Sequence, residues 1–189
     1  MPRKPRDDVG GAVQHVYARG NAKQLIYLDD HDRSRYLALL AQAVTRYRWR
    51  CLAFCLMDNH LHLLIETPLP NLASGMQRTH GLYAQSFNRR HGRSGHLFQG
   101  RFGSVRVTGD AQFLMTVRYI ARNPVEAGLA EDPAEWPWSS HSALLASAPP
   151  AWLDSARLLG QLGADGGDPL RRYAELVGWT HPLPLPRAA

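Results

Sequence analysis

The stretch Asp58-Asn59-His60-Leu61-His62-Leu63-Leu64-Ile65 constrains this chain more than any other. It is an apolar run too short for a long helix. In an extended strand, side chains alternate between faces, so both imidazoles point one way while Leu61, Leu63 and Ile65 point the other. The two histidines then stand about 6–7 Å apart at the backbone, near enough for both rings to converge on one cation. That is half of a metal site. A third ligand and a reactive group have to come from elsewhere.

Both are offered by Arg118-Tyr119-Ile120-Ala121-Arg122-Asn123-Pro124. The preceding residues start at Asp110, a good N-cap, and carry Phe113, Leu114, Val117 and Ile120 at helical spacing. The pattern predicts a helix that ends where Pro124 restricts Asn123. Tyr119 and Asn123 are four apart and so share a face. A carboxamide oxygen suits a hard divalent cation, although Asn123 could equally cap the helix end.

Elsewhere, residues 14–18 alternate as a strand and residues 31–47 place Tyr36, Leu37, Leu39, Leu40 and Val44 at helical spacing. Residues 50–57 and 60–66 read as two strands joined through Asp58-Asn59, a tight hairpin connection. Residues 72–88 form a second long helix, and residues 101–107 alternate again. This β-α-β-β-α-β order predicts an α+β fold: a ferredoxin-like, RRM-like antiparallel sheet with helices packed on one face, plus an added tyrosine-bearing helix and a C-terminal tail. The expected division is a basic disordered arm over residues 1–10, a catalytic domain over 11–145 and a C-terminal extension over 146–189. In that extension only residues 171–179 suggest a helix. Trp136, Trp138 and Ser139 are expected to lock the tail onto the body.

The chain has 189 residues and a formal net charge of +6, which favours an anionic partner. No apolar run is long enough to span a bilayer and no signal-peptide pattern is visible, so a membrane partner is not expected. Cys51 and Cys55, about 13 Å apart along a strand, cannot bridge and suit the reduced core of a cytoplasmic protein. The placement of charge says more than its amount. From Thr67 to Gly109 there is no Asp or Glu, while Arg78, Arg89, Arg90, Arg93, Arg101 and Arg106 are interleaved with Tyr83, Phe87, Phe98 and Phe102. Guanidinium groups that meet phosphates beside rings that stack on unpaired bases make a nucleic-acid surface. A solvated basic face over core aromatics is the plainer reading of any single residue.

The chain resembles the HUH single-tyrosine transposases, and within them the branch associated with repetitive extragenic palindromes. The resemblance runs from about Val16 to His141. It rests on residues 15–21 (HVYARGN), on Met57 to Leu64, on residues 83–90 (YAQSFNRR) and on residues 95–102 (GHLFQGRF). It continues through residues 118–129 and Trp136-Pro137-Trp138-Ser139-Ser140. These blocks follow the family's order. Departures are Ala18 where Asn is commoner, Asp58 where Pro is common and Ala121 where His is frequent. Asp58 is either a partner behind the metal ligands or a strand-end residue.

The resemblance implies that Tyr119 attacks a phosphodiester in single-stranded DNA, leaving a 5′-phosphotyrosine link and a free 3′-hydroxyl. It implies Mg²⁺ or Mn²⁺ held by His60, His62 and Asn123, and DNA contacts from Arg19 together with the six arginines above. The expected partners are single-stranded or hairpin DNA at the nucleoid; the mobile-element branches imply a homodimer and the palindrome-associated branch a monomer, and the sequence does not decide between them. Two other classes fit parts of the pattern. A non-catalytic nucleic-acid-binding module explains the charge but leaves the histidines and Tyr119 idle. A metal phosphoesterase using water explains the histidines but lacks a carboxylate cluster for a second metal.

Overall fold

The structure, a computed structural model, describes residues 9–146, 149–163 and 166–179. Most of the basic arm lies outside the described residues. Four strands, β1 (Ala12–Arg19), β2 (Arg50–Leu56), β3 (His60–Thr67) and β4 (Gly103–Val107), form one antiparallel sheet in the order β2-β3-β1-β4. Helix α1 (Asp30–Tyr47) follows β1, α2 (Leu72–Arg90) follows β3, and α3 (Asp110–Glu126) follows β4. The order is the predicted ferredoxin-like one. Short helices α4 (Ser140–Leu145), α5 (Ser155–Leu162) and α6 (Pro169–Val177) complete the described chain.

Local chemistry explains the long elements. Asp29 caps α1 by accepting from the Asp32 amide, and Arg48 ends the helix in the left-handed conformation. Tyr36, Leu39, Leu40, Ala43 and Val44 of α1 pack with Leu72, Met76, Tyr83 and Phe87 of α2 over Val16, Leu61, Leu63 and Ile65 of the sheet. The β2–β3 turn closes with the Met57 amide donating to the His60 carbonyl.

The predicted helices on one face are α1 and α2. The opposite face is also covered: Leu52, Cys55 and Leu64 meet Phe113, Val117 and Ile120 of α3, Leu158 and Leu162 of α5, and Tyr173 and Val177 of α6. So β2 and β3 are sealed on both sides, whereas the tail shares a core with α3 and is no separate layer. Helix α5, capped by Asp154, is absent from the sequence-based reading because eight residues give periodicity little to work with. Cys51 and Cys55 are buried free thiols, and burial pushes Cys51 up to about 12.

Two expectations for α3 need correction. Asp110 is the first helical residue and not the cap, which is Gly109 at φ 84°; the Asp110 carboxylate accepts from Gln161 of α5 instead. The helix also runs past Asn123 to Glu126 with Pro124 inside it. Proline deletes only the amide that would donate to Ile120. The end is then secured by Gly128 at φ 70°, its amide on Val125 and that of Leu129 on Pro124, the paired bonds of a Schellman cap.

The segment after α3 closes the outer edge of β2. Leu56 donates to the Trp138 carbonyl, Trp136 Nε1 donates to the Leu56 carbonyl, and the Phe54 amide donates to Ser140 Oγ. Trp136, Trp138 and the residues beside them thus fasten the tail as expected, by pairing an edge that would otherwise be open. Among the described residues no helix is long and apolar enough to cross a membrane.

His141 of α4 is fully buried against Tyr173 of α6, with its Nδ1 3.0 Å from the phenol oxygen. Burial lowers its pKa from 6.5 to about 4, against a smaller upward pull from Asp132. The unfolded chain therefore takes up a proton that the folded one refuses. The stabilisation is present above pH 6.5 and is lost as pH falls toward 4, on the order of 3 kcal/mol at most. Thermal melts from pH 7 to 4.5 should show a smaller acid-induced fall in Tm for His141→Gln than for the unmodified protein.

Candidate active site

Alternation along β3 sends Leu61, Leu63 and Ile65 into the α1/α2 core and leaves His60 and His62 on the other face with Leu64. Strand β1 repeats the pattern: Val16 and Ala18 enter the same core, while His15 and Tyr17 share the histidine face. Register pairs Arg19 with His60, Tyr17 with His62, and His15 with Leu64. His15 is thus the diagonal neighbour of His62. Its Nε2 lies 3.0 Å from His62 Nδ1.

Helix α3 crosses this face, anchored by Phe113, Val117 and Ile120, and presents Tyr119 and Asn123 together. Asn123 Oδ1 lies 3.1 Å from His60 Nε2, and the Tyr119 hydroxyl lies 3.5 Å from His62 Nε2. The His60 and His62 rings stand 5.2 Å apart at 85°, and the His62 and Tyr119 rings 5.1 Å apart at 81°. Sequence reasoning places all four groups in one site. The structure unites them within a single chain.

Burial is the main cause that lowers all three histidine pKa values. For His60 it outweighs the Asn123 bond, which raises the pKa; Arg19 adds a smaller downward push and Asp58 an upward one. His62 falls to about 3 through burial, then His15 and His60; His15 falls through burial. At neutral pH these rings are uncharged, the form in which imidazole binds metals.

Proton positions follow from their partners. Asn59 Nδ2 donates to the Lys23 carbonyl at 3.0 Å, so its Oδ1 is the atom 2.7 Å from His60 Nδ1. That oxygen only accepts, so His60 carries its proton on Nδ1. Nε2 then offers a lone pair toward Asn123 Oδ1, which also accepts. Two facing acceptors require either rotation of the amide or a cation between them. Two neutral imidazoles and one amide oxygen fit a divalent ion such as Mn²⁺ or Mg²⁺. Among the described residues no group of three His, Cys, Asp or Glu side chains is arranged for a metal, so an amide would supply the third ligand.

Of the two readings of Asp58, the structure shows an ion pair with Arg33, whose guanidinium sits 5.5–5.8 Å from the rings of Tyr27, Trp136 and Trp138; Asp58 reaches His60 only through its charge. Arg90, on the exposed end of α2, bonds Asp29 and Asp32 through its guanidinium at 2.6–2.8 Å. Arg93 bonds Gln24 and lies over Phe87. Arg78 and Arg89 are exposed on α2, Arg101 on the following loop and Arg106 on β4. Only Arg19 adjoins the histidines in the sheet. His15 is the site residue the sequence reading left out. Its signal was the His-x-aromatic alternation of β1, which matters only once β1 is known to pair with β3.

The sequence profile described as "Transposase IS200 like" matches residues 12–123, from the first strand through Asn123. The chain belongs to the IS200-like transposase family. Its members are tyrosine transposases that act on DNA, which places the chain among enzymes. A REP-associated tyrosine transposase of Haemophilus influenzae is 26% identical over 125 residues, 60% of this chain and 70% of that protein. A solved REP-associated tyrosine transposase, bound to a REP hairpin, has the same fold. Its TM-score is 0.64 at 18% identity, over 79% of this chain and 89% of that one.

Nitrogen-15 correlation spectra of the protein at pH 7 should show His60 neutral and protonated on Nδ1. A proton on Nε2 would mean that Asn59 is turned and the facing acceptors do not exist.

Proposed function

We propose that this protein cleaves and rejoins single-stranded DNA through Tyr119, acting on a hairpin with an unpaired flank. The observation that supports this reading above others is the meeting of the Tyr119 hydroxyl with His62, beside His60 and Asn123, in one chain.

In this reading Tyr119 Oη attacks the scissile phosphorus. The Oη–P bond forms, the P–O3′ bond breaks, and the 3′-oxygen leaves as a free hydroxyl after taking up a proton. A phenol ionises near pH ~10, so its proton needs an exit. Tyr119 is 40% exposed and can pass it to water. His62, its nearest ring, is a poor base because burial has lowered its pKa. His60, His62 and Asn123 would hold the divalent ion, with His15 and Asn59 fixing the ring orientations from behind. When bound, that ion supplies Lewis-acid polarisation of the phosphate and stabilises the leaving oxygen. One phosphodiester is exchanged for a phosphotyrosine ester, so a later 3′-hydroxyl can reverse the attack without a nucleotide cofactor.

Tyr17 and Val105 remain exposed beside the site on the uncovered half of the sheet, where an incoming strand can lie. Arg19 is placed to meet its phosphates. Arg78, Arg89, Arg93, Arg101 and Arg106 make the wider basic surface for the hairpin, with Arg90 beside them held in ion pairs to Asp29 and Asp32. The substrate class is carried over from the relative solved on a REP hairpin. Cleavage in this reading needs one subunit, so a homodimer would serve strand exchange and not site assembly. A nucleoid DNA substrate implies a cytoplasmic location.

A water-using phosphoesterase and a non-catalytic binder are separated by one denaturing gel. With labelled hairpin DNA and Mn²⁺, the protein should carry DNA covalently, and Tyr119→Phe should lose the link entirely while binding within about twofold of the unmodified chain. Cutting without linkage, or linkage surviving in Tyr119→Phe, would overturn the proposal. The proposed ion adds a second test: Asn59→Ala should weaken Mn²⁺ binding about 10- to 100-fold by electron paramagnetic resonance titration, since it removes the partner that orients His60.

A further inference from the structure

Helix α2 and the loop after it border an open groove of roughly 730 Å³ that the reaction above does not use. The volume is in the range of clefts that take small ligands. Its floor is apolar and aromatic: Met76, His80, Phe98 and Phe102, with the His80 and Phe98 rings stacked 4.4 Å apart at 21°. Its rim carries Arg101 and the exposed His96. The lining contains no acid, nor does the sequence anywhere from Thr67 to Gly109.

The helix wall of the groove is unusually low. Ala73, Gln77, Gly81 and Ala84 recur at helical spacing along it. Gly81 sits in the middle of α2, where glycine is a poor helix former. A Cβ there would meet nothing within 4 Å, and the backbone is not left-handed. Neither packing nor conformation in this chain calls for glycine. What a side chain at 81 would take away is the open space of the groove. Gly100, on the loop wall, has the same properties.

One wall of the groove is tied to the end of β1 that pairs with His60. Phe98 bridges Gly20, Gln99 donates to the Arg19 carbonyl at 2.9 Å, and Arg19 is the cross-strand partner of His60. Phe98 belongs to the α1/α2 core, on the opposite face of the sheet from the histidines, and its backbone lies two strand spacings from that of His60, about 10 Å. A nucleotide strand crossing the sheet edge spans that distance. Its flat bases match an apolar floor and its phosphates match a cationic, acid-free rim.

We propose that this groove receives one unpaired base of the DNA flank, lodged over Phe98 and Phe102 with its phosphate against Arg101. The inference rests on the DNA-cleaving role above and adds a base-binding pocket to it.

The test is equilibrium binding of the full chain, at one salt concentration, to three kinds of probe. These are a hairpin with a single-stranded flank, the same hairpin without it, and flanked hairpins with an abasic site at each flank position in turn. One abasic position should cost about tenfold in affinity. Gly81→Leu should cost about tenfold on the flanked hairpin, lose sensitivity to that abasic position, bind the flankless hairpin as before, and melt no lower than the unmodified chain. Gly100→Leu, which fills the groove from the other wall, should do the same and covers the case that Gly81→Leu does not fold. Unchanged affinity or retained abasic sensitivity in a folded variant overturns the pocket, as does an equal loss on the flankless hairpin. DNA linked through Tyr119 with an indifferent groove defeats the pocket alone. No linked DNA with any probe defeats the cleavage reading itself.

Discussion

Everything in the site depends on the register of β3. Leu61, Leu63 and Ile65 are fully buried under α1 and α2. A slip of one residue would exchange them for His60, His62 and Leu64, so the core itself holds the histidines on the opposite face. The hydrophobic pressure on one side of the strand is thereby converted into positional precision on the other. Helix α3 uses the same device: Val117 and Ile120 are pressed into the second core, and Tyr119 and Asn123 follow from their positions on the helix.

Precision has an electrostatic consequence. Three imidazoles drawn into a partly dry face cannot all charge, and burial lowers each of them. They are left as neutral rings whose free lone pairs are aimed by hydrogen bonds from behind, through Asn59 for His60 and His15 for His62. The site is buried at His62 and Asn123, where it would hold an ion, and open where Tyr119 and Tyr17 meet solvent. That asymmetry suits a centre that must fix a phosphate yet admit a long polymer.

The β-α-β-β-α-β order was legible because the helices and β1 keep a period of 3.6 or 2, while β2 and β3, buried on both faces, read as short apolar runs split by Asp58-Asn59. The tail was less so. Helix α5 is short, and its apolar face makes sense only against α6 and β2. Pro124 misled for a related reason: a proline near a helix end removes one bond, and a Gly128 cap downstream supplies the termination. Among the charges, Arg90 shows what counting residues cannot reveal, since its partners Asp29 and Asp32 lie on the helix across from it. Asp58 likewise pairs with Arg33 of α1 and touches its neighbour His60 only through its charge.

The sequence alone determined which residues could share a face, because alternation and helical spacing are properties of the backbone and require no knowledge of neighbours. It therefore already contained the His60–His62 pair and the Tyr119–Asn123 pair as two separate halves. Only the tertiary structure decided that the halves meet, that His15 stands behind His62, and that an open groove ends two strands from His60. Those facts depend on pairing between distant strands and on where α3 crosses the sheet, and no local period encodes either.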